Sequence, residues 1–132
     1  MKPDLSAVPP PRILGPLTRT DFVRYQGASG DMNPIHHDEP FALASGYPAP
    51  LAVGMFTAGV MTSWATDWLG AENVRGTRIR WIKPCFPGMI ITISGQVASI
   101  RNGQADLAIV AHDAEGALVL QVWMRFDLGA TP

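Results

Sequence analysis

Apolar and polar residues change their spacing partway along this 132-residue chain. In the C-terminal half they alternate. Ile91, Ile93 and Val97 fall on one side of a stretch whose other side carries Thr92, Ser94 and Gln96, and Leu107, Ile109 and Ala111 repeat the pattern. Leu118, Leu120, Val122, Met124, Phe126 and Leu128 then occupy every second position without a break. A period of two predicts strands with one buried face. Turn signals separate them: Phe86-Pro87-Gly88, the tight hairpin pair Asn102-Gly103, and Asp113 to Gly116. With the alternating run Val74 to Lys83, stopped by Pro84, and a short segment Ile13 to Leu17, the count is about five strands, the last three forming a meander.

The N-terminal half has helical signals. Thr18 or Thr20 caps a short helix carrying Phe22, Val23, Tyr25 and Gln26 and ending near Gly27 to Gly30. Asp38-Glu39-Pro40 starts another, through Phe41 to Ala44, because Asp caps and proline is tolerated in a first turn. Leu51 to Leu69 is the longest apolar segment, with large residues on all sides, so it predicts a helix enclosed by other elements. Gly54 and Gly59 reduce its helix propensity. The expectation is close helix-to-sheet contact at both, or ligand approach at Gly54. Residues 1–12, with Pro9-Pro10-Pro11, are expected to be a flexible proline-rich segment, and residues 13–132 one α+β domain in which the sheet wraps the long helix. Sheet edges with apolar neighbours favour pairing with a second chain, so a dimer is expected.

Composition narrows the classes. Ten Lys plus Arg against eleven Asp plus Glu give a net charge of −1, which argues against nucleic-acid and anionic-membrane partners. The content is 47% hydrophobic and 16% charged, in keeping with a well-buried domain. A single cysteine, Cys85, excludes an internal disulfide and suits a reducing cytoplasm; residues 1–12 lack the apolar run of a secretory leader. The uncharged stretch from Gly46 to Thr66 contains Pro48 and Pro50, leaving about 16 residues for a helix where a membrane span needs roughly 20, so no span is expected.

Candidate chemistry is concentrated in Ser29-Gly30-Asp31-Met32-Asn33-Pro34-Ile35-His36. Pro34 disfavours the α region at Asn33, so Asp31 and His36 lie on a loop rather than a continuous helix. A carboxylate and an imidazole held close together can position one water between a base and a hydrogen-bond partner. His37 and Asp38 adjoin His36, but adjacent residues seldom face one ion, and no metal site is assigned.

The run Tyr25-Gln26-Gly27-Ala28-Ser29-Gly30-Asp31-Met32-Asn33-Pro34-Ile35-His36, with Ala42 six residues later, resembles the signature of MaoC-like hydratases. That group includes (R)-specific enoyl-CoA hydratases and is similar to 3-hydroxyacyl-thioester dehydratases. The likeness continues through Leu51-Ala52-Val53-Gly54-Met55 and the Pro84 to Gly88 turn. The resemblance implies a hotdog fold and reversible hydration of trans-2-enoyl thioesters to (R)-3-hydroxyacyl thioesters, carried on coenzyme A or phosphopantetheine, with no other cofactor. It implies Asp31 and His36 as the water-activating pair, Asn33 as a brace of the loop, and the Gly54 backbone N–H as the oxyanion contact. Met55, Thr62 and Ser63 are candidate substrate contacts, although a hydroxyl bonded to its own helix explains the last two equally well. Relatives usually carry histidine before the glycine; here it is Val53.

Two alternatives stay open. One is a subunit that works beside a second MaoC-like chain, catalytically or by shaping its acyl channel. The other is a hotdog thioesterase, whose relatives place a carboxylate on or beside the central helix; here Asp67 stands only at its far end. Arg75, Arg78, Arg80 and Lys83 are read as a solvated strand face rather than phosphate ligands.

Overall fold

The computed structural model describes residues 2–129; Met1 and residues 130–132, at the ends of the expected segment and domain, lie outside the described residues. Five strands, β1 (Arg12–Leu14), β2 (Val74–Trp81), β3 (Ile91–Arg101), β4 (Gln104–His112) and β5 (Leu118–Asp127), form one antiparallel sheet in the order β1-β3-β4-β5-β2. Helices α1 (Arg19–Ser29), α2 (Glu39–Ala44) and α3 (Gly54–Leu69) come from the N-terminal half, with a 3-10 turn at Pro34–His36. The expected alternation sets the register: Leu107 stands opposite Met124 and Ile109 opposite Val122, all four buried. This face packs on Ala58, Met61, Trp64, Ala65 and Leu69 of α3 in one core. Among the described residues no helix is long and apolar enough to cross a membrane.

Several expectations change. α3 begins at Gly54, not Leu51, because Leu51 and Ala52 are held laterally: Leu51 N–H donates to Ile35 O at 3.2 Å and Ala52 N–H to Cys85 O at 2.8 Å. The helix is not enclosed on all sides, since Met55 is 50% exposed and Gly59 is open. The close helix-to-sheet contact does not use Gly59, where an added Cβ would meet nothing within 4 Å. It uses Gly95 of β3, where a Cβ would lie 2.8 Å from the Trp64 ring. β1 is shorter than expected because the chain leaves the sheet at Gly15-Pro16, and Leu17 pairs with the β2–β3 connection through Leu17 N–H to Met89 O and Gly88 N–H to Leu17 O.

On α1 only Phe22 and Gln26 are buried, and Val23 faces solvent. The proline-rich N-terminal segment lies against α3, where Trp64 Nε1 donates to Pro10 O and Trp68 Nε1 to Asp4 O.

Candidate active site

Three local devices bring the Asp31 loop to the start of α3. The first ends α1: Gly30 adopts the left-handed conformation (φ 78°) and donates its N–H to Gln26 O, turning the chain outward. Next, Asp31 Oδ1 accepts the Asn33 N–H at 3.2 Å and Asn33 Oδ1 accepts the Ile35 N–H at 3.1 Å, two successive side-chain turns that start the 3-10 turn at Pro34. Asn33 thus lies where a brace of the loop would. The third device docks the loop on the α3 entrance: Ile35 O accepts from Leu51 N–H, and His36 Nδ1 bonds Leu51 O at 2.7 Å.

That last bond decides the chemistry of the imidazole. A carbonyl oxygen only accepts, so Nδ1 carries the hydrogen and the neutral ring presents a lone pair at Nε2. Nε2 lies 4.0 Å from Asp31 Oδ2. This is too far for a direct hydrogen bond. It suits a shared water, since two bonds of about 2.8 Å spanning that gap meet at roughly a right angle. His36 is buried, at 8% exposure, while the Asp31 side chain is 46% exposed, so the acid stands at the mouth and the imidazole inside.

Behind His36 is a cavity of about 330 Å³ whose lining includes His36, Gly54, Thr57, Trp81, Cys85 and Leu120. His36 from the loop and Gly54 from α3 therefore border one space, while Asp31 and Asn33 are not among its lining residues. Thr18 caps α1 and Asp38 caps α2 with their side chains, whereas α3 starts at Val53 with no side-chain cap. Phe56 N–H turns back to Val53 O at 2.9 Å, which leaves the Gly54 and Met55 N–H groups and the positive end of the helix dipole to an external acceptor. Trp81 Nε1 donates to Gly54 O at 3.0 Å, and a Cβ on Gly54 would sit 2.7 Å from that nitrogen, so glycine admits the indole at this position. Burial pushes the Cys85 thiol up to about 11, which marks it as a packed thiol.

The other candidates lie elsewhere. Met55 faces solvent beside Gly54 and is not part of the cavity wall. Thr62 Oγ1 donates to Gly59 O, while Ser63 Oγ donates to Val60 O and accepts from Arg12 Nη1; neither borders the cavity. Arg75 pairs with Asp127 and Arg78 lies over the Trp123 ring, whereas Lys83, paired with Asp113, also borders the cavity. The described residues contain no group of three or more His, Cys, Asp or Glu able to hold a metal ion.

Gln26 was not singled out from the sequence. It is 2% exposed, and its Nε2 donates to Asp31 O at 2.9 Å and Asn33 O at 3.1 Å. The available signal was an amide four residues after Phe22, on the buried stripe of α1. Trp81 is half exposed and walls the cavity.

The chain is similar to known proteins in sequence and in fold. A family model described as MaoC like domain matches residues 7–115. The chain is 34% identical over 104 residues to 3-hydroxyacyl-thioester dehydratase Y of Mycobacterium tuberculosis, covering 76% of this chain and 35% of that protein. It is 34% identical over 95 residues to enoyl-CoA hydratase ChsH3 of the same organism, covering 65% and 33%. It spans about a third of the length of each of these two relatives. Among solved structures, the ChsH1-ChsH2 complex from M. tuberculosis superposes with a TM-score of 0.83 at 21% identity, covering 97% of this chain and 98% of that one. The (R)-hydratase from A. caviae involved in PHA biosynthesis gives 0.79 at 22% identity, covering 92% and 96%. These likenesses establish the α+β hotdog fold.

Proposed function

The chain belongs to the MaoC-like domain family, and from that premise we propose that it adds water reversibly to trans-2-enoyl thioesters, giving (R)-3-hydroxyacyl thioesters. The observation that carries this reading is the 4.0 Å gap between Asp31 Oδ2 and His36 Nε2, with His36 also lining a cavity bordered by the uncapped start of α3.

A water in that gap donates one hydrogen to each acceptor. Its oxygen adds to C3 of the enoyl group while one of its protons passes to the Asp31–His36 pair. The π electrons move toward the thioester carbonyl, whose oxygen gains charge against the Gly54 N–H. A proton then passes from His36 Nε2 to C2, the carbonyl reforms, and the pair ends in its starting protonation state. The reverse sequence is dehydration. The reaction draws on no cofactor beyond the coenzyme A or phosphopantetheine that carries the acyl group. The cavity, with Trp81 and Leu120 in its walls, receives apolar atoms near the reacting bond.

Within Gly54–Leu69 the only carboxylate is Asp67, which pairs with Arg12, so α3 offers no acid to the cavity for thioester hydrolysis. For partners, the proposal is a second MaoC-like chain along the exposed β2 edge, either a copy of this one or a different member of the family.

The test is to follow crotonyl-CoA and longer enoyl thioesters in parallel with release of free thiol. Asp31→Asn and His36→Ala should each reduce hydration about 10²–10⁴-fold. Undiminished hydration in Asp31→Asn would remove the mechanism, and rapid thiol release dependent on Asp31 would replace it with hydrolysis.

A further inference from the structure

Resting on the hydration reading, we propose that Gln26 is a positioning residue: its buried carboxamide sets the separation of Asp31 and His36, and with it the turnover rate. The two reactive groups are anchored to different parts of the fold. His36 is tied to the entrance of α3 through Leu51 O. The Asp31 backbone is tied to α1 through Gln26. The 4.0 Å gap is the difference between these two anchorages.

All the polar capacity at Gln26 is aimed at the loop. Its two amide hydrogens meet Asp31 O and Asn33 O, so the stretch Asp31-Met32-Asn33 is pinned at both ends. The remaining atom, Oε1, only accepts, and it lies 2.9 Å from His37 Nδ1. Nδ1 of His37 therefore carries a hydrogen, and the residue following His36 is fixed by the same side chain. At 2% exposure, no bulk solvent stands ready to replace these bonds. An apolar residue there would leave two carbonyls and a ring N–H without their partner. Gln26 does not border the cavity, so its loss moves the acid relative to the imidazole while leaving the acyl wall and Gly54 in place.

The experiment compares the wild-type chain with Gln26→Met and Gln26→Glu on crotonyl-CoA across pH, with thermal melting of each. Gln26→Met should lose about 10²-fold in kcat with KM little changed, as expected for misplaced reacting groups. Gln26→Glu keeps the volume but, when ionised, turns acceptors toward two carbonyls. Protonated, it regains one donor, and burial raises the pKa at which that happens. Its kcat relative to wild type should therefore climb as pH falls; Asp31, His36 and His37 are the titratable groups that face this position. A side chain that only fills space would give a flat ratio. A folded Gln26→Met with wild-type kcat, or a flat ratio in Gln26→Glu when Gln26→Met melts early, overturns the inference alone. A wild-type chain inactive on every enoyl thioester removes the hydration reading and this inference together.

Discussion

Gly54 meets two requirements through one missing Cβ: the Trp81 indole rests against its Cα and bonds its carbonyl, and its N–H stands at the uncapped start of α3. Gly54→Ala should displace Trp81, breaking that bond and shifting the cavity wall. We expect reduced kcat/KM on enoyl thioesters with a melting temperature only modestly lowered, because Trp81 is half exposed and can swing outward. Unchanged kinetics would show that the position of the Trp81 indole does not shape the cavity. The Asp31–His36 loop was legible in the sequence because Pro34 breaks a run of polar residues, whereas the roles expected of Asn33 and Gly54 came from the family resemblance, a glycine at a helix start having a packing explanation as well, here Trp81. Gln26 was not, since an amide on a helix stripe takes its meaning from carbonyls that reach it only after the loop folds back. Thr62 and Ser63 invert that case: their hydroxyls suggested substrate contacts, but helix carbonyls and Arg12 take them up.

Between elements, α3 approaches β3 closely through the reciprocal fit of Trp64 against Gly95. Trp64→Ala should cost about 3–5 kcal/mol through the cavity it leaves. Gly95→Ala, whose Cβ would press on the ring at 2.8 Å, should cost about 1–3 kcal/mol. Chemical denaturation checks both, and a neutral Gly95→Ala would show that the indole has room to shift. The β4–β5 turn is organised by Asp113, which accepts from the Glu115 and Ala117 N–H groups and from Lys83 Nζ. The hydrogen bond from Lys83 holds the Asp113 carboxyl below its usual range and raises the lysine. A lowered carboxylate contributes stability above its unfolded pKa and loses it as pH falls through the folded value. A raised lysine contributes below its unfolded pKa and loses it as pH rises through the folded value. Asp113→Asn should therefore melt lower than wild type at neutral pH, with the difference closing on acidification below the ordinary aspartate range. A pH-independent difference would assign the effect to the turn alone.

Taken as one body, the protomer exposes the β2 edge and, beside the cavity, an apolar group of Met55, Trp81 and Ile82, each more than two-fifths exposed. Exposed apolar groups next to an unpaired strand favour a second chain. The purified chain should sediment at twice its 14.2 kDa mass, and that dimer should be the active form. A monomer without activity that gains it on mixing with another MaoC-like chain would instead identify a heteromeric enzyme.

The sequence by itself determined the sheet, its turns and the long helix, because a period of two along the strands and the long apolar run from Leu51 to Leu69 are local properties that burial against any partner face will select. It also determined which loop carries the acid and the imidazole. The tertiary structure alone decided which nitrogen of His36 faces Asp31, the 4.0 Å gap between them, and that Gly54 and Trp81 share their cavity. It also decided that α3 keeps an open side and that Gly95, not Gly59, admits the tryptophan. Each of these depends on contacts between segments far apart in the chain, and no periodicity within a segment encodes the atoms that another segment will bring to it.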